Sequence, residues 1–237
     1  MIAALDHLVV GGSPAVYETL LGRRAVDGRL RTDNVGVRFE AAVSGLRSMV
    51  FATPDLDKAA TLLERRAVAS TKTDEGRALL GHGVAIGLCA QSEEAPSPLT
   101  VETATAISSL DHIVVRTPNP ERAVAFYAGR LGLDLRLDRS NPKWGARLLF
   151  FRCGDLVVEI AHDLKKGVTD EPDHLWGLSW RVPDIGAAHS RLKAAGLEVT
   201  EPRDGRRPGS QVCTVKNGTG GVPTILIGGV GRWQGGG

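Results

Sequence analysis

A six-residue pattern occurs twice in this chain of 237 residues, as LDHLVV at 5–10 and as LDHIVV at 110–115. A second pair of similar segments, LRSMVFATPDLDKAATLLERRAV at 46–68 and GLSWRVPDIGAAHSRLKAAGLEV at 177–199, shares a Pro-Asp dipeptide. Repeats at two such offsets indicate a tandem duplication. The second offset is 24 residues longer than the first, so the first half is predicted to be a shortened copy.

Each repeated segment predicts a strand followed by a helix. After LDHIVV, Asn119 is a typical helix N-cap and Pro120 suits the first helical position. Apolar residues at three- and four-residue spacing then predict the buried face of a helix that ends near Gly132: Ala123, Phe126, Tyr127 and Leu131. The same pattern predicts helices after Asp55 and Asp184 and a shorter helix within 13–22.

Short strands are predicted after each helix. Gly154-Asp155 separates two apolar runs and is a typical hairpin turn. The chain is therefore predicted to be an α+β protein that repeats a β-α-β-β(-β) module four times. Residues 91–109 are rich in small polar residues and proline, which is typical of a linker. The expected division is a shortened N-terminal half at 1–92, a linker at 93–108, a C-terminal half at 109–231 and a tail at 232–237.

Four such modules in two pairs resemble the vicinal oxygen chelate superfamily, which includes glyoxalase I, bleomycin-resistance proteins, methylmalonyl-CoA epimerase and extradiol dioxygenases. The more specific motifs lie in the second half, in the order LDHIVVRTPNPERAVAFYAGRLGLDL, LVVEIAHD, GLSWRVPDIGAAHSRLKAAGLEV and GTGGVPTILIG. The resemblance implies tandem βαβββ modules that form two glyoxalase-like open sheet cups, each with one face around a small-molecule cavity. One such scaffold serves many reactions, so it specifies the fold more closely than the chemistry.

The resemblance also implies a metal site in the second half. Metal-dependent members bind a divalent ion at four inward positions, and His112 and Glu159 match two of them. Gly177 and Ile225 fall on the other two positions, and neither has a donor atom. The set is therefore predicted to be incomplete, although His162 and His174 lie close enough in sequence to supply further ligands.

The first half matches the same positions in part, with His7 and Glu40 as candidate ligands and Ser48 and Gly87 at the remaining places. We expect either no cofactor or a weakly bound divalent metal, such as Fe, Mn, Ni or Zn. A partly buried histidine that is hydrogen-bonded to Glu159 or to a backbone carbonyl is the alternative interpretation of His112.

Without a metal, His112 and Glu159 are candidates for proton transfer, because a carboxylate in an apolar cavity has a raised pKa. Strand alternation from Gly177 places Ser179 and Arg181 on the same face. Arg181 is predicted to neutralise Glu159 or to bind an anionic substrate group, with a solvated position at the rim as the alternative.

Tryptophans and a glycine complete the predicted substrate site. Trp144 and Trp176 are candidates for stacking on an aromatic ligand. Trp176 and Trp180 also have the strand parity of residues that pack beneath a helix. Gly177 in place of a larger ligand-bearing residue is expected to enlarge the cavity.

These features predict an enzyme of this superfamily, of the lyase, isomerase or dioxygenase type, that acts on a small aromatic or carbonyl-containing metabolite. The alternative is a non-catalytic protein that sequesters a drug-like ligand, as bleomycin-resistance proteins do. A standard glyoxalase I or extradiol dioxygenase is disfavoured by Gly177 and Ile225.

Composition excludes several other classes. A formal net charge of +2 and the lack of a basic run disfavour nucleic-acid binding. No apolar stretch approaches the roughly 20 residues of a membrane helix. The three cysteines are widely spaced and suggest neither disulfides nor a zinc motif. Since no signal peptide is recognisable, we expect a cytoplasmic protein, monomeric or homodimeric, whose partner is a small molecule.

Overall fold

A computed structural model describes residues 2–230, so the predicted tail at 232–237 lies outside the described residues. The predicted module order is confirmed. The first half contains β1 (Ala4–Gly11), α1 (Pro14–Leu21), β2 (Leu30–Arg31), β3 (Gly36–Glu40), β4 (Leu46–Thr53), α2 (Leu56–Arg65), β5 (Thr71–Thr73), β6 (Gly76–Gly81) and β7 (Val84–Ala90). The second half contains β8 (Ser109–Arg116), α3 (Pro120–Val124), β9 (Asp134–Asn141), β10 (Ala146–Cys153), β11 (Leu156–Asp163), β12 (His174–Arg181), α4 (Ile185–Ala194), β13 (Arg203–Asp204), β14 (Gln211–Val215) and β15 (Thr224–Gly228).

The strands form two mixed sheets, which confirms the predicted α+β class. The seven-stranded sheet has the order β2-β3-β1-β4-β7-β6-β5, and the eight-stranded sheet has the order β13-β14-β15-β12-β8-β11-β10-β9. Within a module the first strand pairs in parallel with the last, as β1 does with β3, β4 with β7 and β12 with β15. The later strands of a module pair as antiparallel hairpins, such as β10 with β11 across the predicted Gly154-Asp155 turn.

Helix starts follow the predicted caps. The side chains of Asn119, Asp55 and Asp184 each accept a hydrogen bond from the backbone N–H three residues later, at 2.9 to 3.0 Å. Such caps satisfy one of the N–H groups that the first helical turn leaves without an intrahelical partner.

The helix after Asn119 differs from the expected α-helix. It is α-helical only over Pro120–Val124 and continues as a π-helix over Ala125–Arg130, where Leu131 N donates to Phe126 O at 2.9 Å. The predicted apolar face is nevertheless correct, because Phe126 and Tyr127 are both buried. A pattern of apolar residues specifies which face is buried but not whether one residue is inserted into a turn.

The described residues form two compact units, each built from three segments of the chain. Unit 1 contains the residues up to Asp6, Ser48–Ser92 and Ile113–Trp176. Its core includes Phe51, Tyr127 and Phe151, all of which are fully buried.

Unit 2 contains His7–Arg47, Glu93–His112 and residues 177–230. Its core includes Tyr17, whose hydroxyl donates to Thr219 O at 3.1 Å, and Trp180. The predicted linker contributes the buried Ser97 to this unit, and Ser97 Oγ accepts from Arg31 N at 2.9 Å. The division into halves at 92 and 109 stays a prediction.

Two further findings concern the cysteines and the expected lack of a membrane helix. Within residues 2–230, Cys89, Cys153 and Cys213 are not joined in disulfides. Among residues 2–230 no helix has the length and apolar character needed to cross a membrane. The predicted compartment and oligomeric state stay predictions.

Candidate functional site

A buried carboxylate at the start of β8 organises the candidate site in unit 2. Asp111 is 2% exposed, and its Oδ1 accepts a hydrogen bond from Arg181 Nε at 2.7 Å. Its Oδ2 lies 2.9 Å from His112 Nδ1. Arg207 Nη1 lies 3.6 Å from Asp111 Oδ1. We call these four residues the Asp111 cluster.

The surroundings of Asp111 keep it ionised. Burial alone would raise the pKa of its carboxyl, but the hydrogen bond and charge of His112 and those of Arg181 outweigh that effect. The net result is a fall of the Asp111 pKa from 3.8 to about 2. At neutral pH the cluster therefore contains a carboxylate that can only accept hydrogen bonds.

This carboxylate fixes the protonation pattern of the His112 ring. Because the ionised Asp111 only accepts, the proton of the neutral imidazole lies on Nδ1, and the ring lone pair lies on Nε2. The His112 side chain is 23% exposed, whereas that of Asp111 is 3% exposed. The pair thus holds an oriented imidazole at the border between a buried carboxylate and solvent, an arrangement suited to taking and returning a proton.

Arg181 has a different partner from the two that the sequence suggests. It is 3% exposed, which contradicts the solvated alternative, and its Nε is bound to Asp111. Its backbone carbonyl also accepts from Ser108 N at 3.0 Å and from Ser108 Oγ at 3.1 Å. Arg181 therefore anchors the start of β8 and its carboxylate.

Asp111 and Arg207 are not among the residues predicted from sequence. Successive side chains of a strand normally point to opposite faces, so alternation separates Asp111 from His112. The signal that could have identified Asp111 is the repeat itself, since Asp and His occur together at 6–7 and at 111–112. Arg207 lies in a turn after β13, and only the folded chain brings it to β8.

The other predicted catalytic and substrate-binding residues have the following environments. Glu159 lies half-buried in β11, opposite Phe150 of β10, and its proposed catalytic role stays a prediction. Ser179 is 2% exposed in β12. Trp144 is 44% exposed with Arg139 Cζ 5.7 Å from its ring centre, and Trp176 is half-buried with Arg116 Cζ at 4.2 Å.

Gly177 does not open additional space where its side chain would be. A Cβ added there would lie 2.8 Å from Pro223 O, closer than such atoms approach in proteins. The expectation that Gly177 enlarges the cavity is therefore wrong, because the Pro223 backbone fills the space that a side chain at 177 would occupy. The same contact leaves no room at 177 for a histidine ligand.

The predicted ligand pair of the first half is also wrong. In the parallel pairing of β1 with β3, His7 is opposite Gly36 while Glu40 is opposite Gly11. Four residues along a strand span about 13 Å, too far for both side chains to bind one ion. Glu40 is instead exposed and lies 3.5 Å from Arg47.

The two histidines proposed as additional ligands differ in burial. His162 is 6% exposed and its Nδ1 lies 3.1 Å from Thr117 O, whereas His174 is exposed at the start of β12. Within unit 1, donor atoms of Asp6 and Cys89 lie within 4.8 Å of each other. Neither residue stands at one of the four positions that the superfamily resemblance implies, and Gly177 and Ile225 at two of those positions carry no donor atom, so the residues there do not fit that set.

Unit 2 also contains a cavity of about 320 Å³ beside the start of β8. Its lining includes Asp33, Ser108, Ser109, Arg181, Pro183 and Gly229. This volume is at the lower end of the range of small-molecule sites, roughly 300–1,000 Å³.

Comparison with known proteins agrees with the sequence resemblance. Residues 109–219 match the model of the Glyoxalase/Bleomycin resistance protein/Dioxygenase superfamily. An ethylmalonyl-CoA/methylmalonyl-CoA epimerase of Cereibacter sphaeroides is 28% identical over 109 residues, which are 42% of this chain and 81% of that protein.

Solved structures extend the similarity to nearly the whole chain at the level of the fold. A 2,2',3-trihydroxybiphenyl 1,2-dioxygenase of Sphingomonas wittichii is similar over 98% of this chain and 91% of its own, with a TM-score of 0.71 and 17% identity. A halotolerant catechol dioxygenase is similar over 99% of this chain and 89% of its own, with a TM-score of 0.69 and 14% identity. The predicted tandem fold is thereby confirmed.

Proposed function

We propose that the chain is an enzyme that moves a proton on a small carbonyl-containing metabolite, since residues 109–219 match the model of the Glyoxalase/Bleomycin resistance protein/Dioxygenase superfamily. The proton would leave and return at the carbon next to the carbonyl group. His112 is the base in this proposal, and Asp111 orients it.

The contact between Asp111 and His112 is the observation that carries the proposal. Asp111 holds the proton of the neutral ring on Nδ1, so His112 Nε2 can accept a proton from a substrate C–H bond. The electron pair of that bond then moves to the carbonyl oxygen, giving an enolate and an imidazolium. The buried carboxylate 2.9 Å from Nδ1 stabilises the imidazolium, and return of the proton to carbon completes the cycle.

The epimerase relative supports this type of reaction. An epimerase inverts one stereocentre, and removal followed by return of a proton next to a carbonyl is a general route to such inversion. This chain and the epimerase are 28% identical over a segment that makes up 42% of this chain. A general base of this kind contributes about 10²- to 10⁴-fold to a rate.

A metal-dependent reaction is the alternative, but the residues at the four superfamily positions do not form the expected set of metal ligands. Gly177 has no room for a ligand side chain, and Glu40 is offset from His7 by four residues along the paired strands. The proposed reaction therefore uses only side chains of the chain itself. The expectation of no cofactor or a weakly bound divalent ion remains to be tested by elemental analysis.

A second candidate function is sequestration of a small ligand without turnover. The cavity of about 320 Å³ in unit 2 favours it, since a binding protein needs space for its ligand but no base. Binding of a ligand that never exchanges a proton would support this alternative.

Hydrogen exchange into substrate distinguishes the two functions. We would incubate the protein in D₂O with methylmalonyl-CoA, ethylmalonyl-CoA and a panel of 2-oxo acids and aryl ketones, and follow deuterium incorporation by NMR and mass spectrometry. Exchange should fall at least about 100-fold in His112→Gln and in Asp111→Asn. His189→Gln, a histidine substitution on α4, is the matched control and should exchange at the wild-type rate.

Two results would contradict the proposal. One is exchange in His112→Gln at the wild-type rate. The other is exchange that is lost on chelation and regained only with added iron, manganese, nickel or zinc, because it would assign the chemistry to a metal.

A further inference from the structure

A short turn of the first half lies against the start of β8 in unit 2. The turn at 32–35 is closed by Thr32 N donating to Val35 O at 2.9 Å and by Thr32 Oγ1 donating to the same oxygen at 3.1 Å. Thr32 is fully buried. A turn closed twice in this way holds Asp33 and Asn34 in one orientation.

Asn34 makes two hydrogen bonds to a single residue of β8. Leu110 N donates to Asn34 Oδ1 at 2.8 Å, and Asn34 Nδ2 donates to Leu110 O at 2.9 Å. One residue earlier in the turn, Asp33 N donates to Ser108 O at 2.9 Å. The side-chain amide thus acts as a partner strand would, because it offers an acceptor and a donor with the spacing of a peptide group.

These bonds fix the peptide groups that precede the Asp111 cluster. Leu110 directly precedes Asp111 in the chain. Ser108, whose carbonyl accepts from Asp33 N, donates its own N–H to Arg181 O. The contact between Asp111 and His112 joins neighbours that regular alternation would separate, so it depends on the backbone conformation at this point. A shift in the Leu110 peptide would change the distance between Asp111 Oδ2 and His112 Nδ1.

We infer that Asn34 is a positioning residue for the Asp111–His112 pair. This inference rests on the proposed function of His112 as a base, and it assigns a role to the shortened first half. That half supplies the amide that orients the base of the second half. In this scheme Asn34 acts through Leu110 and does not touch the substrate.

The experiment compares three variants by NMR on the intact chain. Asn34→Ala removes both bonds to Leu110, whereas Asn34→Asp keeps an acceptor for Leu110 N and loses the donor to Leu110 O. Asn217→Ala is the matched control, because Asn217 Oδ1 accepts a comparable backbone bond from Glu198 N at 2.7 Å away from the cluster. The readouts are the ¹⁵N signals of the His112 ring, which report which nitrogen carries the proton, and the exchange rate of the Leu110 amide.

In the wild type the ring proton is expected on Nδ1. In Asn34→Ala a mixture with the Nε2–H tautomer should appear, and the Leu110 amide should exchange about tenfold faster. Asn34→Asp should retain more protection of that amide than Asn34→Ala. Asn217→Ala should leave both signals at their wild-type values, even if its thermal stability falls as much.

The possible failures are separable. A wild-type ring without the proton on Nδ1 would overturn the proposed function of the Asp111–His112 pair. A wild-type ring with that proton, unchanged in Asn34→Ala, would overturn the positioning role alone. Loss of the His112 signature in Asn217→Ala to the same extent would also overturn it, by showing a general response to destabilisation.

Discussion

Replacement of Asp111 by Asn tests the central carboxylate directly. The side chain is 3% exposed, so solvent screens its interactions weakly. A carboxyl whose pKa falls from 3.8 to about 2 on folding contributes about 2 kcal/mol to stability at neutral pH. Asp111→Asn should therefore lower the free energy of unfolding by about 2 kcal/mol at pH 7, somewhat less than the roughly 3–5 kcal/mol measured when one member of a buried ion pair is removed.

The dependence on pH identifies the cause of this loss. Because folding lowers the pKa of Asp111, its contribution is present above pH 3.8 and disappears as the pH falls through about 2. The difference between wild type and Asp111→Asn should thus shrink to about half its neutral value near pH 3. Urea unfolding followed by tryptophan fluorescence measures it, since Trp180 is fully buried in the native state.

Asp138→Asn is the control for this experiment. Asp138 also pairs with an arginine, at 2.7 Å from Arg147 Nη2, but its side chain is 39% exposed. Removal of an exposed pair should cost less than about 1 kcal/mol. A loss below about 1 kcal/mol for Asp111→Asn at pH 7, or a loss that does not change between pH 7 and pH 3, would refute the assignment of Asp111 as a buried, ionised anchor.

Three further predictions concern unit 1, each checked by urea unfolding. Tyr127→Phe should leave the free energy of unfolding unchanged or raise it by up to about 1 kcal/mol, because the buried Tyr127 hydroxyl has no hydrogen-bond partner among the described residues; a clear loss would reveal a bound water or other partner. Asp173→Asn should cost about 3 kcal/mol, because Asp173 is 2% exposed and accepts from Arg122 Nη2 at 2.7 Å; a loss under 1 kcal/mol would contradict this. Gly83→Ala should cost about 2 kcal/mol, since Gly83 has φ +103° and an added Cβ would lie 2.5 Å from Pro172 Cβ; wild-type stability in this variant would show that the loop relaxes.

Much of the fold could be predicted from local sequence. Asn119, Asp55 and Asp184 cap helices as predicted, because a cap depends on residues within one turn. The repeat of LDH[LI]VV predicts two equivalent first strands, and β1 and β8 occupy those positions. The π-helix over Ala125–Arg130 could not be predicted, because the apolar spacing is compatible with either helix type.

Less of the candidate site could be predicted. His112 was identified by the repeat, and its neighbour Asp111 carries the same signal. The roles of Arg181 and Arg207 depend on contacts between residues 70 and 96 positions apart in the chain, which local patterns do not contain. The His7–Glu40 pair failed for a related reason, since a strand pattern shows which residues are extended but not which residue of the neighbouring strand lies opposite.

The sequence by itself determined the modules, their order, their helix starts and the similarity of residues 109–219 to one superfamily. These depend on periodicity and capping, which act over a few residues and are repeated along the chain. Only the tertiary structure decided that Asp111 is the buried carboxylate of the site, that Pro223 occupies the space at Gly177 and that Asn34 bonds to Leu110. Each of these depends on contacts between segments that are distant in the sequence. Such contacts form, and stabilise the fold, only when the strands have packed in one register.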